Sequence, residues 1–190
     1  MGYFDQSELS EMGFKSLGEN VRISTKASIY NPSRISIGNN VRIDDFAVVS
    51  AGAQGIVVGD YVHIAAFCGL VGQAKIHMDD FSGLSSRVFI YSSSDDYSGA
   101  SLTNPTVPDQ FRNVESGDVH LGKHVIVGTC ATILPGVSIG MGSAIGAYAF
   151  VNRNIPDGVI AIGQPCRVVK KRRVDIFKLE EELRRKEKGE

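Results

Sequence analysis

The sequence predicts an all-β fold, a parallel β-helix of stacked short strands, and three observations predict it. From Leu121 the chain reads LGKHVI, VGTCAT, ILPGVS, IGMGSA, IGAYAF and VNRNIP, which keeps Leu121, Val127, Ile133, Ile139, Ile145 and Val151 in unbroken six-residue register. Four residues after each aliphatic the side chain is small or β-branched (Val125, Ala131, Val137, Ser143, Ala149), and the residue directly after it is often glycine (Gly122, Gly128, Gly140, Gly146). The composition agrees, with 21 Gly, no Trp, and Ile, Val and Leu making up about a quarter of 190 residues. A helical period of 3.6 cannot generate a six-residue pattern. Short strands with tight corners can, with one aliphatic inward per strand and a small residue at each corner.

Taken in chain order, residues 1–16 form an N-terminal cap in which DQSELSEMGF (5–14) is a short amphipathic helix. Such a helix covers apolar surface and unpaired backbone at the open end of the strand stack. Residues 17–169 form the β-helix. Leu17, Ile23 and Ile29 keep the six-residue step, as do Ile37, Ile43 and Val49, and then Val58, Ile64, Leu70, Ile76, Ser82 and Val88, where only Ser82 breaks the type. Slips of two residues before Ile37 and three before Val58 are expected to be corner bulges or short loops. The register lapses after Val88 and resumes at Leu121, leaving a loop at about 92–118 whose length points to function. Residues 170–190 are a basic segment, Lys170 to Arg173, followed by a C-terminal α-helix over 174–188. In that helix Ile176, Leu179 and Leu183 recur at helical spacing on a charged background expected to be a solvated face.

A net charge of −1 leaves no basic excess for a polyanion, so no nucleic-acid partner is expected. No apolar run is long enough to span a bilayer, and the first residues lack a signal-peptide pattern. A cytoplasmic protein without integral membrane association is expected. Cys68, Cys130 and Cys166 are widely spaced with no CxxC, so reduced thiols are the expectation.

The pattern aliphatic-Gly-x-x-small-x resembles the hexapeptide-repeat acyltransferases. The resemblance implies a left-handed β-helix with three hexapeptides per 18-residue triangular coil, hence about six coils here. The run Ser92-Ser93-Ser94-Asp95-Asp96-Tyr97-Ser98-Gly99, then Leu102-Thr103-Asn104-Pro105, together with GQPCR at 163–167, is similar to one branch of that family. This branch acylates amino groups of nucleotide-linked dideoxy sugars for surface polysaccharides such as O-antigen.

That resemblance implies a homotrimer with clefts between subunits, each lined by the loop, and acetyl-CoA or another short acyl-CoA as cosubstrate. The galactoside branch of the family uses a His base in the loop, but no His lies between His77 and His120 here. A carboxylate, Asp95 or Asp96, is the candidate base, because an amine is already a good nucleophile and has one proton to lose. Ser-Asp-Asp-Tyr-Ser-Gly is also a good turn sequence, so either Asp can serve the turn alone. Ser85 and Ser86 are candidates to bond the substrate or the base, with Ser86 read as a small corner residue. Tyr97, Thr103, Asn104, Phe111 and His77 are candidate substrate contacts.

For coenzyme A the resemblance implies backbone near Gly128, Gly146 and Ala147; the cations that follow, Lys171 and Arg173 among them, suit the phosphates or equally serve solubility and helix-end electrostatics. Lone glycines at these positions are equally corner residues. His63, His77, His120 and His124 fall at four different phases of the repeat as counted, so no shared edge and no metal is expected. Cys166 has no basic partner pattern beyond Arg167 that would make it a nucleophile. Two rivals stay open: a glycan O-acetyltransferase using His77 or His120 as base, and a silent β-helix binding module.

Overall fold

The computed structural model describes residues 2–173 and 175–189. The chain winds as a left-handed parallel β-helix with three faces. Face 1 stacks Ser16–Leu17, Ile35–Ile37, Ile56–Val58, Ile76–Met78, Val119–Leu121 and Ser138–Ile139. Face 2 stacks Arg22–Ile23, Arg42–Ile43, His63–Ile64, Gly83–Leu84, Ile126–Val127, Ala144–Ile145 and Val159–Ile162. Face 3 stacks Ser28–Tyr30, Val48–Ala51, Gly69–Gly72, Phe89–Tyr91, Thr132–Ile133 and Phe150–Val151. The chain visits the faces in rotation, so strands adjacent in a face come from successive coils and pair in parallel.

The core is the stack of inward aliphatics. On face 2 Ile23, Ile43, Ile64, Leu84, Val127 and Ile145 lie one above another, all buried. Burying each such side chain is worth about 1.5–3 kcal/mol. Face 1 differs, because its longer strands carry two inward residues each, as in Ile56 with Val58 and Ile76 with Met78.

That difference corrects the register expected from the sequence. Met78, not Ile76, is the partner of Val58 on face 1, and the frame continues through Leu84 and Ile90, which pair with Ile64 and Leu70. A third slip, of two residues, therefore sits between Leu70 and Met78. Ile76 falls in step with the wrong frame only because it too points inward. In the true frame Ser82 is a buried corner residue equivalent to Val62 and Val125, and Ser86 is a half-exposed residue rather than a small corner.

The corners carry a second regularity. Three residues after the inward aliphatic the backbone is left-handed: Asn20, Asn40, Phe46, Tyr61, Phe67, Phe81, Arg87, His124, Cys130 and Tyr148 all have φ between 54 and 62°. This conformation is costly for bulky side chains. Stacking from coil to coil offsets the cost: Phe46 lies on Phe67 at 5.0 Å between ring centroids, Tyr61 on Phe81 at 4.6 Å, and Phe81 on His124 at 5.0 Å.

Both ends are covered. The helix Gln6–Glu11 (α1) starts with a capping box between Asp5 and Glu8 and buries Leu9 on the first coil. At the far end the strand Arg167–Lys171 turns back and pairs antiparallel with Val159–Ile162. Helix Ile176–Glu187 (α2) then runs back to the corner between faces 1 and 2; Val174, included in the expected helix, lies outside the described residues. Its expected apolar stripe is not what docks, since Leu179 and Leu183 are exposed. Instead Phe177 sits edge-on against His124, and buried Glu180 accepts from His124, Lys123 and Arg184 at 2.6–2.8 Å. Burial alone would raise the Glu180 pKa, but the hydrogen bonds from Lys123, Arg184 and His124 outweigh it and hold the carboxyl down at about 2. The face expected to be solvated is the docking face.

Candidate active site

The 92–118 loop leaves the prism at the corner between faces 3 and 1 as a hairpin, with Ser93–Asp95 antiparallel to Val114–Ser116. Its feet are pinned to the coil below. The Ser92 hydroxyl donates to the Ala74 carbonyl at 2.7 Å, and the Asp118 carboxylate accepts from the Lys75 amide at 2.9 Å. Gly72, at φ 148° on the coil below, lies under the first residue of the loop, and a Cβ there would lie 2.2 Å from the Ser92 hydroxyl oxygen. Only glycine permits that approach.

The two adjacent carboxylates end up in different states. Asp96 is buried; its Oδ1 accepts from the Ser98 amide at 2.7 Å and its Oδ2 from the Ser101 hydroxyl at 2.8 Å. Ser98, through hydroxyl and amide, and then Ser101 hold its pKa down at about 2. That is a turn staple. Asp95 is half-exposed and accepts one long bond, 3.2 Å, from the Asn104 amide. Both carboxylates border an open cleft of about 550 Å³, with Tyr97, Glu115, Leu134, Pro135 and Phe150. A carboxylate with free lone pairs facing such a space can accept a proton from a bound amine.

Phe150 also borders a second groove of about 510 Å³ along face 3, lined by Cys130, Thr132, Tyr148, Asn152, Gln164 and Pro165. The two spaces share the Phe150 ring as a wall. Gln164 belongs to the GQPCR motif, whereas Tyr148 carries no motif in the sequence; the signal for Tyr148 is its place in the left-handed corner position. Gly128 and Gly146 lie close by as stacking residues: a Cβ on Gly128 would sit 2.5 Å from the Ala147 amide nitrogen of the next coil, and one on Gly146 would sit 2.6 Å from the Ile162 side chain. Ala147 is exposed.

Other expected site residues lie elsewhere. Ser85 and Ser86 line a separate cleft on face 2 with Tyr61, His63, Phe81, Ser82 and Ile126, which shares no residue with the Asp95 cleft. Tyr97 borders the Asp95 cleft but is almost fully exposed, and Thr103 and Phe111 are exposed. Asn104 bonds Thr106 through its side chain. Of the basic segment, Lys171 is exposed on the antiparallel strand and Arg173 pairs with Asp175, while Arg172 is structural, donating to the carbonyls of His124, Gly142 and Ser143. The Cys68 thiol is pushed up to about 11 by burial, and burial raises Cys166 as well, so neither is a ready thiolate.

The histidines correct the phase count. With the third slip included, His77 and His120 hold the same position of the repeat and are register partners on face 1. Their rings lie 5.2 Å apart, and both imidazoles reach Asp79, His77 Nε2 at 3.3 Å and His120 Nε2 at 2.9 Å. Neither lines the Asp95 cleft, so one chain alone does not bring His77 to that space as an expected substrate contact. His63 is bonded to Asp44 on face 2 at 2.8 Å.

No family model matches the chain. A dTDP-4-amino-4,6-dideoxy-D-glucose acyltransferase of Escherichia coli is 47% identical over 180 residues, covering 95% of this chain and 94% of that protein. A variant of AntD, an N-acyltransferase from Bacillus cereus, in complex with dTDP-4-amino-4,6-dideoxyglucose and coenzyme A superposes with a TM-score of 0.94 at 46% identity, covering 97% of this chain and 98% of the other. AntD with dTDP and 3-hydroxybutyryl-CoA gives 0.93 at 46% identity, covering 99% and 100%. The AntD variants in these complexes replace a serine and an aspartate ten positions apart. Ser85 and Asp95 have that separation here, as do Ser86 and Asp96.

Proposed function

Because the chain belongs to the hexapeptide-repeat nucleotide-sugar N-acyltransferases, we propose that it acylates the 4-amino group of dTDP-4-amino-4,6-dideoxyglucose, with Asp95 as the base. The donor is a short acyl-coenzyme A. The amine nitrogen attacks the thioester carbonyl carbon while Asp95 accepts the amine proton directly or through water. Backbone amides bonded to the developing oxyanion lower the barrier. Collapse breaks the C–S bond, and the coenzyme A thiolate leaves and takes up a proton. The observation that carries the assignment is that, of the two carboxylates bordering the cleft, Asp96 is buried with both oxygens occupied by Ser98 and Ser101, whereas half-exposed Asp95 accepts one long bond.

The face 3 groove that meets this cleft at Phe150 suits the pantetheine arm, with Gly128, Gly146 and Ala147 nearby and the exposed Lys171 and Arg173 as partners for the phosphates. Ser85 and Ser86 sit on another face, so one chain alone does not bring them to Asp95. A homotrimer that sets face 2 of one prism against face 3 of the next would, and it would place the substrate between chains. Loop residues Tyr97, Thr103, Asn104 and Phe111, exposed in one chain, then have a surface to meet. Nucleotide sugars and acyl-CoA are charged metabolites of the cytoplasm, which supports a reaction there, upstream of a surface polysaccharide.

The test is free-thiol release with nucleotide-linked 3-amino and 4-amino sugars against acetyl-CoA and 3-hydroxybutyryl-CoA. The expected result is turnover with the dTDP-linked 4-amino sugar and little with the 3-amino isomers. Turnover only with glycan hydroxyl acceptors would overturn the reading in favour of O-acylation, the activity carried by the name of WbbJ of Escherichia coli, which is 31% identical over 156 residues.

A further inference from the structure

We propose that His77, Asp79 and His120 form a site for a divalent transition metal of the zinc, cobalt or nickel class, clasping the coils on either side of the active-site loop. The argument begins with the register. His77 and His120 are directly paired on face 1, and the whole 92–118 loop lies between them in sequence. Parallel strands stack at roughly 4.8 Å, so identical positions on adjacent coils bring two imidazoles close to the separation that one metal ion spans. Metal–ligand bonds of about 2.0–2.2 Å need donors a little over 3 Å apart, which a small lean of the two rings supplies. Asp79 completes the set on the same strand as His77. One donor atom from each of the three residues lies within 4.8 Å of the other two.

The donor chemistry selects the metal. Two imidazole nitrogens and one carboxylate form a set suited to zinc, cobalt and nickel, whereas magnesium and calcium favour oxygen alone. All three side chains are between about a third and a half exposed, which leaves room for water at the remaining positions. The other His–carboxylate contacts are already occupied by cations of the protein: Asp44 pairs with Arg42 as well as His63, and Glu180 with Lys123 and Arg184 as well as His124. Among the described residues Asp79 has no Lys or Arg ion pair. A metal there would tie the strand entering the loop's coil to the strand leaving the loop, and so would stabilise the loop's base by binding only the folded arrangement.

The experiment uses the whole chain, stripped with a chelator and titrated with zinc(II), and with cobalt(II) for its visible absorption. One ion per chain should bind at micromolar concentration or tighter, cobalt should show bands of a nitrogen-and-oxygen site, and zinc should raise the melting temperature. His120→Asn and Asp79→Asn should each weaken binding at least ten-fold and remove the zinc-dependent rise, with circular dichroism unchanged. His63→Asn should leave both readouts as in the parent. Absence of saturable binding in the micromolar range, or an equal loss in His63→Asn, would show that Asp79 is only a hydrogen-bonded bridge between two histidines. None of these readouts depends on acyl transfer, so they stand or fall separately from the sugar assignment.

Discussion

Ser98 and Ser101 fill the acceptor sites of Asp96 and depress its pKa, which leaves its neighbour to take a proton from substrate. Asp95→Asn keeps the size and the bond from Asn104 but cannot accept that proton, so turnover should fall roughly 10²- to 10⁴-fold with saturating substrates. Asp96→Asn should act differently, raising amide exchange through residues 96–101 and lowering turnover only as far as the loop loosens. Steady-state kinetics on both variants, with hydrogen exchange on the loop, checks the pair; a dead Asp96→Asn with an active Asp95→Asn would reverse the assignment. The sequence placed this Asp pair in a long loop expected to be functional, because a 27-residue break in a strict repeat is conspicuous. It could not say which Asp was free, since that depends on which way the Ser98 amide and the Ser101 hydroxyl turn. The same holds for Ser85, whose distance from Asp95 within one prism follows from three-dimensional faces and not from a spacing of ten.

At the scale of elements, the six-residue period is legible because each strand spends one aliphatic on the core, and from Leu121 to Val151 nothing interrupts it. The earlier frame misled where face 1 strands bury two residues, so that Ile76 imitates the position held by Met78. The C-terminal helix was legible in position and not in orientation, because its docking rests on Phe177 and a buried carboxylate where hydrophobic spacing pointed to Leu179 and Leu183. Glu180 titrates near 2 in the folded protein against an ordinary value of 4.5. A depressed carboxyl pKa stabilises the docked state above the ordinary value and loses that contribution as pH falls from about 4.5 toward 2. Helix α2 should therefore show rising amide exchange across that window while the coil amides stay protected, and Glu180→Gln should loosen it already at neutral pH. Unchanged exchange in α2 down to pH 2 would mean that Phe177 alone holds the helix.

For the molecule as a whole, the division of candidate catalytic groups between two faces makes a prediction about assembly. If Ser85 of one prism serves the Asp95 cleft of another, sedimentation should give a mass near three chains. Co-expression of Ser85→Ala with Asp95→Asn should then recover part of the activity that each variant lacks alone, because some mixed trimers contain an intact composite site. No recovery in verified mixed trimers would place the whole site within one chain. A different consequence follows from the reversed strand at the far end. A stack of parallel strands is a template with two live ends, and identical prisms could join head to tail into filaments through them. Arg167–Lys171 blocks this on face 2, since it runs against the grain of the ladder and is exposed along its length with three cations, while α1 lids the opposite end with Leu9. The chain thereby carries its own chain-terminators, and lateral association of prism sides is left as the productive route to higher order.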